Sequence, residues 1–399
     1  MRIDQVGPER HDQGSIRCSY VDESMQAGVP VMAFFYRERL DGDRVAQGLA
    51  RALTDFPAFS GRFAVRDHAL YIDPSPDGVR FEEQESQHSI TGLMAAARAD
   101  DHQALVPRLS VRRMLRGSEP LMTARLTNAP DGSVLAFAFT RAIGDLTSAM
   151  LLLRAWSKAC RGLDYDRPLD VPDRHQYLLE RLPDPSGAPA NLRLYSTGEM
   201  LRVARYATTR KRRVALHFDW HELDRIRQAA SLQRIVSRND ALCAHALLTL
   251  RQLETRTPRQ QLSISMNYRR QLDLPANLMG NLLSTVNVSV RPGSVDLATL
   301  AADIRQGIED FAERPDYLAT ARLLSTHAGP VERSRCLPVT ADPRACALVI
   351  ESWSSNGLYD LVFQSQRPSM FLPCGSRVAP FMGGCGESPA RSGLVLSLY

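Results

Sequence analysis

The stretch Phe137–Gly162, FAFTRAIGDLTSAMLLLRAWSKACRG, constrains this chain more than any other. Ser133–Phe139 is a mostly apolar run of strand length. Asp145 or Thr147 can cap the helix that follows, which carries Met150, Leu151, Leu153, Trp156 and Cys160. A buried strand that passes through a tight turn into an amphipathic helix is a building unit of an α/β layer. The turn holds Arg141 where the strand ends and Asp145 where the helix begins.

The flanking sequence extends the same pattern. The first 30 residues are mostly polar, and Val29–Tyr36 then reads as a strand. Asp41–Thr54 reads as a helix with Val45, Leu49 and Leu53 on one face. Ala69–Ile72 and Gly78–Phe81 read as further strands. Prolines gather over 163–210, at Pro168, Pro172, Pro183, Pro185 and Pro189, which predicts a crossover between two units. Beyond it come a strand at Arg213–Phe218, a helix at Trp220–Ala230, and a long apolar helix that ends at Leu253. Ser237 and Asp240 approximate a capping box for that last helix, and His245 lies on it. Strands at Leu262–Asn267, Leu283–Val290, Ala347–Trp353 and Gly393–Leu398 and a helix at Asp296–Glu313 complete the reading.

A chain of 399 residues is long enough for two domains with their own cores. Its charge of +5 is spread along the sequence, which argues against a nucleic-acid partner. A basic run at Arg202, Arg205, Arg210, Lys211, Arg212 and Arg213 could dock a nucleotide phosphate or an acidic carrier protein, but such runs are more often a solvated face. No run reaches the length of a membrane span, and the N-terminus lacks the apolar core of a signal peptide. The seven cysteines are odd in number and form no CxxC pair, so they read as reduced thiols of a cytoplasmic protein. The nine histidines show no ligand spacing, and no metal is expected. A monomer acting on a small molecule is the expectation.

The Asp145 turn, Thr147-Ser148, Ala155-Trp156 and Arg161-Gly162 resemble the central motif of the BAHD acyltransferases, relatives of the peptide-synthetase condensation domains. In that motif the strand ends in His-x-x-x-Asp-Gly; here Arg141 stands at the His position and Leu146 at the Gly position. Phe56–Phe63 resembles the family's Phe-x-Pro-Leu-Ala-Gly-Arg turn, and Ser237–Leu253 its Thr-x-x-Asp-x-Leu-x-Ala helix. Arg269 with Leu274–Asn281 resembles its Arg…Leu-Pro…Gly-Asn segment. Tyr359–Pro368 aligns with its second signature, retaining Tyr359, Phe363 and Pro368 but carrying Val362, Gln364, Ser365 and Gln366 at the Asp, Gly, Trp and Gly positions. The resemblance implies two chloramphenicol-acetyltransferase-like α/β domains, mixed sheets with helices, and a tunnel between them. The expected units are 1–175, with about 360–377 added to it, a linker at 176–210, and 211–399. It also implies an ion pair between Asp145 and Arg269 that supports the Arg141 loop.

Arginine stays protonated in proteins and cannot replace a histidine base. Its planar fork suits a carboxylate or a carbonyl that gains negative charge. Strand alternation puts Glu351 and Trp353 on one face, and the resemblance aims that face at the reacting carbonyl. Arg141, Glu351 and Trp353 are therefore the candidate catalytic residues, with Asp145 and Arg269 as support. The first expectation is cyclisation, or cycloaddition, of a polyketide- or peptide-like substrate in specialised metabolism, with Arg141 polarising a carbonyl and no cofactor. The second is O- or N-acyl transfer from a CoA or carrier-bound thioester, with Glu351 or His245 as replacement base. The third is a binding protein whose tunnel is plugged by an Arg141–Glu351 pair.

Overall fold

The computed structural model describes residues 1–98, 105–184, 191–208, 214–253, 259–290, 296–313, 322, 329–354, 356–374, 382–389 and 391–398. It is built on two six-stranded mixed sheets. In the first, the strand order is Arg2–Val6, Val79–Glu85, Met122–Ala129, Gly132–Phe139, Val31–Tyr36 and Met370–Cys374. Gly132–Phe139 is buried along its whole length, as its unbroken apolar run requires. It pairs antiparallel with Met122–Ala129 on one side and Val31–Tyr36 on the other.

The helices Gly42–Asp55 and Leu146–Ala159 pack on each other and close the same core. Their contact is close because Gly48 faces Cys160; a Cβ on Gly48 would collide with the Cys160 sulfur. Trp156 is fully buried between the helices and donates its indole N–H to the Val45 carbonyl at 2.8 Å. Phe363 meets the Trp156 ring edge-on at 5.3 Å, and the Ser157 hydroxyl bonds the Val362 carbonyl. The Tyr359–Pro368 segment thus serves as packing for the Leu146–Ala159 helix.

The second sheet has the order Val214–Asp219, Gly393–Leu398, Met382–Glu387, Ala347–Ser352, Gln261–Asn267 and Leu283–Ser289. Residues of the helices Trp220–Ala230, Arg238–Leu253 and Leu297–Glu313 share its core. The chain does not divide cleanly in sequence. Met370–Cys374 returns from the second half to pair antiparallel with Val31–Tyr36 in the first sheet.

Three differences from the sequence reading matter for the site. The polar N-terminal stretch contains an edge strand, Arg2–Val6, and a short helix, Tyr20–Ser24, whose residues are all buried. The proline-rich segment carries a helix at Arg174–Leu179, a strand at Leu192–Leu194 paired with Cys336–Pro338, and a helix at Thr197–Thr208. The strand that bears Glu351 stops at Ser352, one residue short of Trp353. Of the basic run, Arg210–Arg213 lie outside the described residues.

Candidate active site

After Phe139 the backbone turns through one short 3-10 helix, Arg141–Ile143, before Asp145 caps the Leu146–Ala159 helix. The cap is a carboxylate oxygen of Asp145 accepting the Ser148 N–H at 2.9 Å and the Ser148 hydroxyl at 3.2 Å. The other oxygen accepts the Leu282 N–H at 3.2 Å, and Arg269 donates to both. The Arg269 bond to Oδ2 is 2.6 Å, and both side chains are almost fully enclosed. Arg269 also donates to the carbonyls of Leu278 and Gly280. The charges of this enclosed pair are therefore matched by further hydrogen bonds, the condition under which burial of an ion pair is tolerated.

A second buried network holds the other side of the turn. Asp22 accepts both the backbone and the side-chain N–H of Asn281 at 2.9 Å, and Asn281 donates a further bond to the Arg141 carbonyl at 2.5 Å. Arg174 donates to the Ile143 carbonyl, forms a forked pair with Asp170, and lies 3.6 Å from Asp22. Burial works to lower the Arg174 pKa, but Asp170 and Asp22 outweigh it and raise it. The Arg141 N–H donates to Gly28 at 2.7 Å, and a Cβ on Gly28 would come within 2.9 Å of the Arg141 side chain. The backbone of the turn is pinned from three directions.

The Arg141 guanidinium, in contrast, makes no hydrogen bond among the described residues, and its Nε is buried without a partner. Among the described residues its one ion pair is with Glu351, at 3.8 Å from Nη1 to Oε1, too long for a hydrogen bond. The two side chains keep 17% and 15% of their exposure, enough for a solute to reach both. They share a cavity of about 140 Å³ with Ser263, Ser265 and Thr285 of the second sheet and Val21, Ser24 and Met25 beside the Tyr20–Ser24 helix. The remaining wall, from Leu192 and Leu337 to Ala341, is mainly apolar. Ser263 Oγ and Thr285 Oγ1 are buried and have no hydrogen-bond partner among the described residues.

The structure brings Arg141 and Glu351 together and sets Asp145 and Arg269 behind them. It does not bring Trp353 to that cavity. Trp353 keeps to the face of Glu351, its N–H donating to the Cys385 carbonyl in continuation of the ladder, but it lines a separate cavity with Gly384, the register partner of Glu351, and packs on Phe371 with ring centres 5.6 Å apart. His245 is also absent from the cavity wall. It packs edge-on against Phe218 at 6.2 Å, and burial lowers its pKa. Glu351 is thus the carboxylate or imidazole of the replacement-base expectation that reaches Arg141. Sequence reasoning missed Asp22, Arg174 and Asn281; Asn281 stood in the Gly-Asn segment, and its amide was the available signal.

The model of the Transferase family matches residues 7–379. The chain belongs to that family. Similar proteins include the BAHD acyltransferase DCR of Arabidopsis thaliana, 26% identical over 30% of this chain and 26% of that protein. Another is the rosmarinate synthase of Plectranthus scutellarioides, 27% identical over 36% of this chain and 34% of that protein. The matched stretches thus span about a quarter to a third of those relatives. Among solved structures, F. graminearum TRI101 complexed with coenzyme A and deoxynivalenol has a TM-score of 0.76 at 16% identity, over 97% of this chain and 95% of that one. Vinorine synthase has a TM-score of 0.69 at 16% identity, over 100% and 93%. At these identities the structures establish the two-domain α/β fold of the family. One of the named relatives is a BAHD acyltransferase and one structure holds coenzyme A, and the expectation of a cyclase finds no support among them. No described helix is long and apolar enough to cross a membrane.

Proposed function

We propose that the protein is an acyltransferase that moves an acyl group from a thioester, on CoA or a carrier protein, to a hydroxyl or amine of a small-molecule acceptor. The observation that carries this reading is the juxtaposition of Arg141 and Glu351, 3.8 Å apart and otherwise unbonded, on the wall of one cavity in a Transferase-family fold. Arg141 stands where the family resemblance puts a histidine, so Glu351 takes the role of base. It accepts the acceptor's proton as the oxygen or nitrogen attacks the thioester carbon. The new C–O or C–N bond forms, the C–S bond breaks, and the proton passes on to the departing thiolate. Arg141 offers donors to the oxygen that gains negative charge at the tetrahedral stage. The cavity beside the pair weighs against a plugged, non-catalytic scaffold.

The test is intact-mass and product analysis with short acyl-CoA donors and a panel of alcohols and amines. Acylated product that depends on Glu351 supports the reading. Absence of acyl transfer from both CoA and carrier-bound donors across the panel would count against it.

A further inference from the structure

A second cavity, of about 150 Å³, lies where the two sheets approach. Trp353, Tyr359 and Phe371 supply three aromatic walls. Tyr359 uses its hydroxyl oxygen to accept the Phe371 N–H at 3.3 Å, so a ligand meets an oxygen already engaged. Gly384 and Gly386 form the floor, and a Cβ on either would have no heavy atom of the described residues within 4 Å. The floor is open because these positions lack side chains. Glu387 stands at the end of the same strand as the charged lining residue. Its carboxylate has no hydrogen bond or ion pair among the described residues. Arg391 is attracted to it, but donates to Asp360 at 2.5 Å.

Aromatic faces attract cations through their quadrupoles, and an unpaired carboxylate attracts the same cation more strongly. An anion would meet repulsion here, and a neutral polar group would gain little. We infer that this cavity binds the ammonium group of an apolar organic amine, held by Glu387 and packed against Trp353 and Phe371. The strand register extends the argument. Glu351 pairs with Gly384 across adjacent parallel strands, and Glu387 lies three residues further on, roughly 10 Å along the strand. The two cavities therefore neighbour each other along one pair of strands. The identity of that amine as the acyl acceptor rests on the acyl-transfer reading; its binding does not.

The experiment is calorimetric titration of the full-length protein, without any thioester, using phenethylammonium and its neutral counterpart phenethyl alcohol. Native protein should bind the ammonium about tenfold or more tightly than the alcohol, and Glu387→Gln should erase that preference. Gly384→Leu, which fills the floor with space to spare, should abolish binding of both and keeps the test available if Glu387→Gln does not fold. Equal affinity of native protein for the two probes, an ammonium preference that survives Glu387→Gln, or ammonium binding that survives Gly384→Leu overturns the proposal. Acyl-transfer assays are run separately: ammonium binding without transfer would sink the acyl-transfer reading alone, and transfer without ammonium preference would sink this one alone.

Discussion

Arg141 and Asp145 are four positions apart and have opposite fates. Asp145 is enclosed and saturated with donors, while Arg141 has a pinned backbone and a free head. Replacing them should separate stability from activity. Asp145→Ala leaves the Arg269 guanidinium buried without its charge partner and should cost about 3–5 kcal/mol of stability. Denaturant unfolding reads this directly, and an unchanged midpoint would mean that the pair does not support the turn. Arg141→Ala removes no hydrogen bond and should leave the midpoint near its native value while acyl transfer falls away. Full activity in that variant would remove Arg141 from the chemistry. The Asp145–Arg269 pair follows from the family resemblance because both residues sit inside recognisable motifs. The Asp22–Asn281–Arg174 network does not: its members lie in three unrelated contexts, and only folding makes them neighbours.

At the scale of elements, periodicity located most long helices and strands to within a residue or two. Gly42–Asp55, Trp220–Ala230 and Gly393–Leu398 carry strong apolar patterns, and they fold as their patterns require. The helix Tyr20–Ser24 was illegible because five residues are too few to show a period, and because its Asp22 and Glu23 look like surface charges. Both are buried, and Glu23 bonds the Leu70 N–H and Arg333. Alternation put Trp353 on the face of Glu351, where it lies, but alternation does not say which of two neighbouring cavities on that face a side chain lines. The close contact of the helices Gly42–Asp55 and Leu146–Ala159 makes a further prediction. Gly48→Val should overpack the seam and destabilise by about 1–3 kcal/mol. Thermal unfolding at the native midpoint would show that the seam yields.

The Arg174–Leu179 helix meets the Tyr20–Ser24 helix through His175, whose ring lies 6.1 Å from that of Tyr20. Burial first, and then Arg17 and Arg333, push the His175 pKa down from 6.5 to about 4. The folded protein therefore holds His175 neutral where the unfolded chain would protonate it. By linkage, this contribution to stability is present above pH 6.5 and is lost as the pH falls toward 4. His175→Phe should flatten the stability–pH curve across that window; an identical slope in the variant would assign the acid sensitivity elsewhere.

Across the whole molecule, the fold was more legible than the chemistry. A Transferase-family chain can be read from scattered motifs because the motifs mark where backbone turns and buried charges must be. The reacting groups are set by a few side chains that face the cavity, and their meeting depends on how the two sheets come together. Arg141 comes from the first half and Glu351 from the second, so their 3.8 Å separation is a property of the assembled molecule. The same assembly builds the aromatic cavity from Phe371 of one sheet and Gly384 of the other. The measurement that bears most directly on the account is the rate of acyl transfer to an alcohol or amine by native protein and by Glu351→Gln, each with a folding control. The account predicts product with native protein and a loss of about a hundred- to ten-thousand-fold in the variant. Undiminished transfer by Glu351→Gln would contradict it.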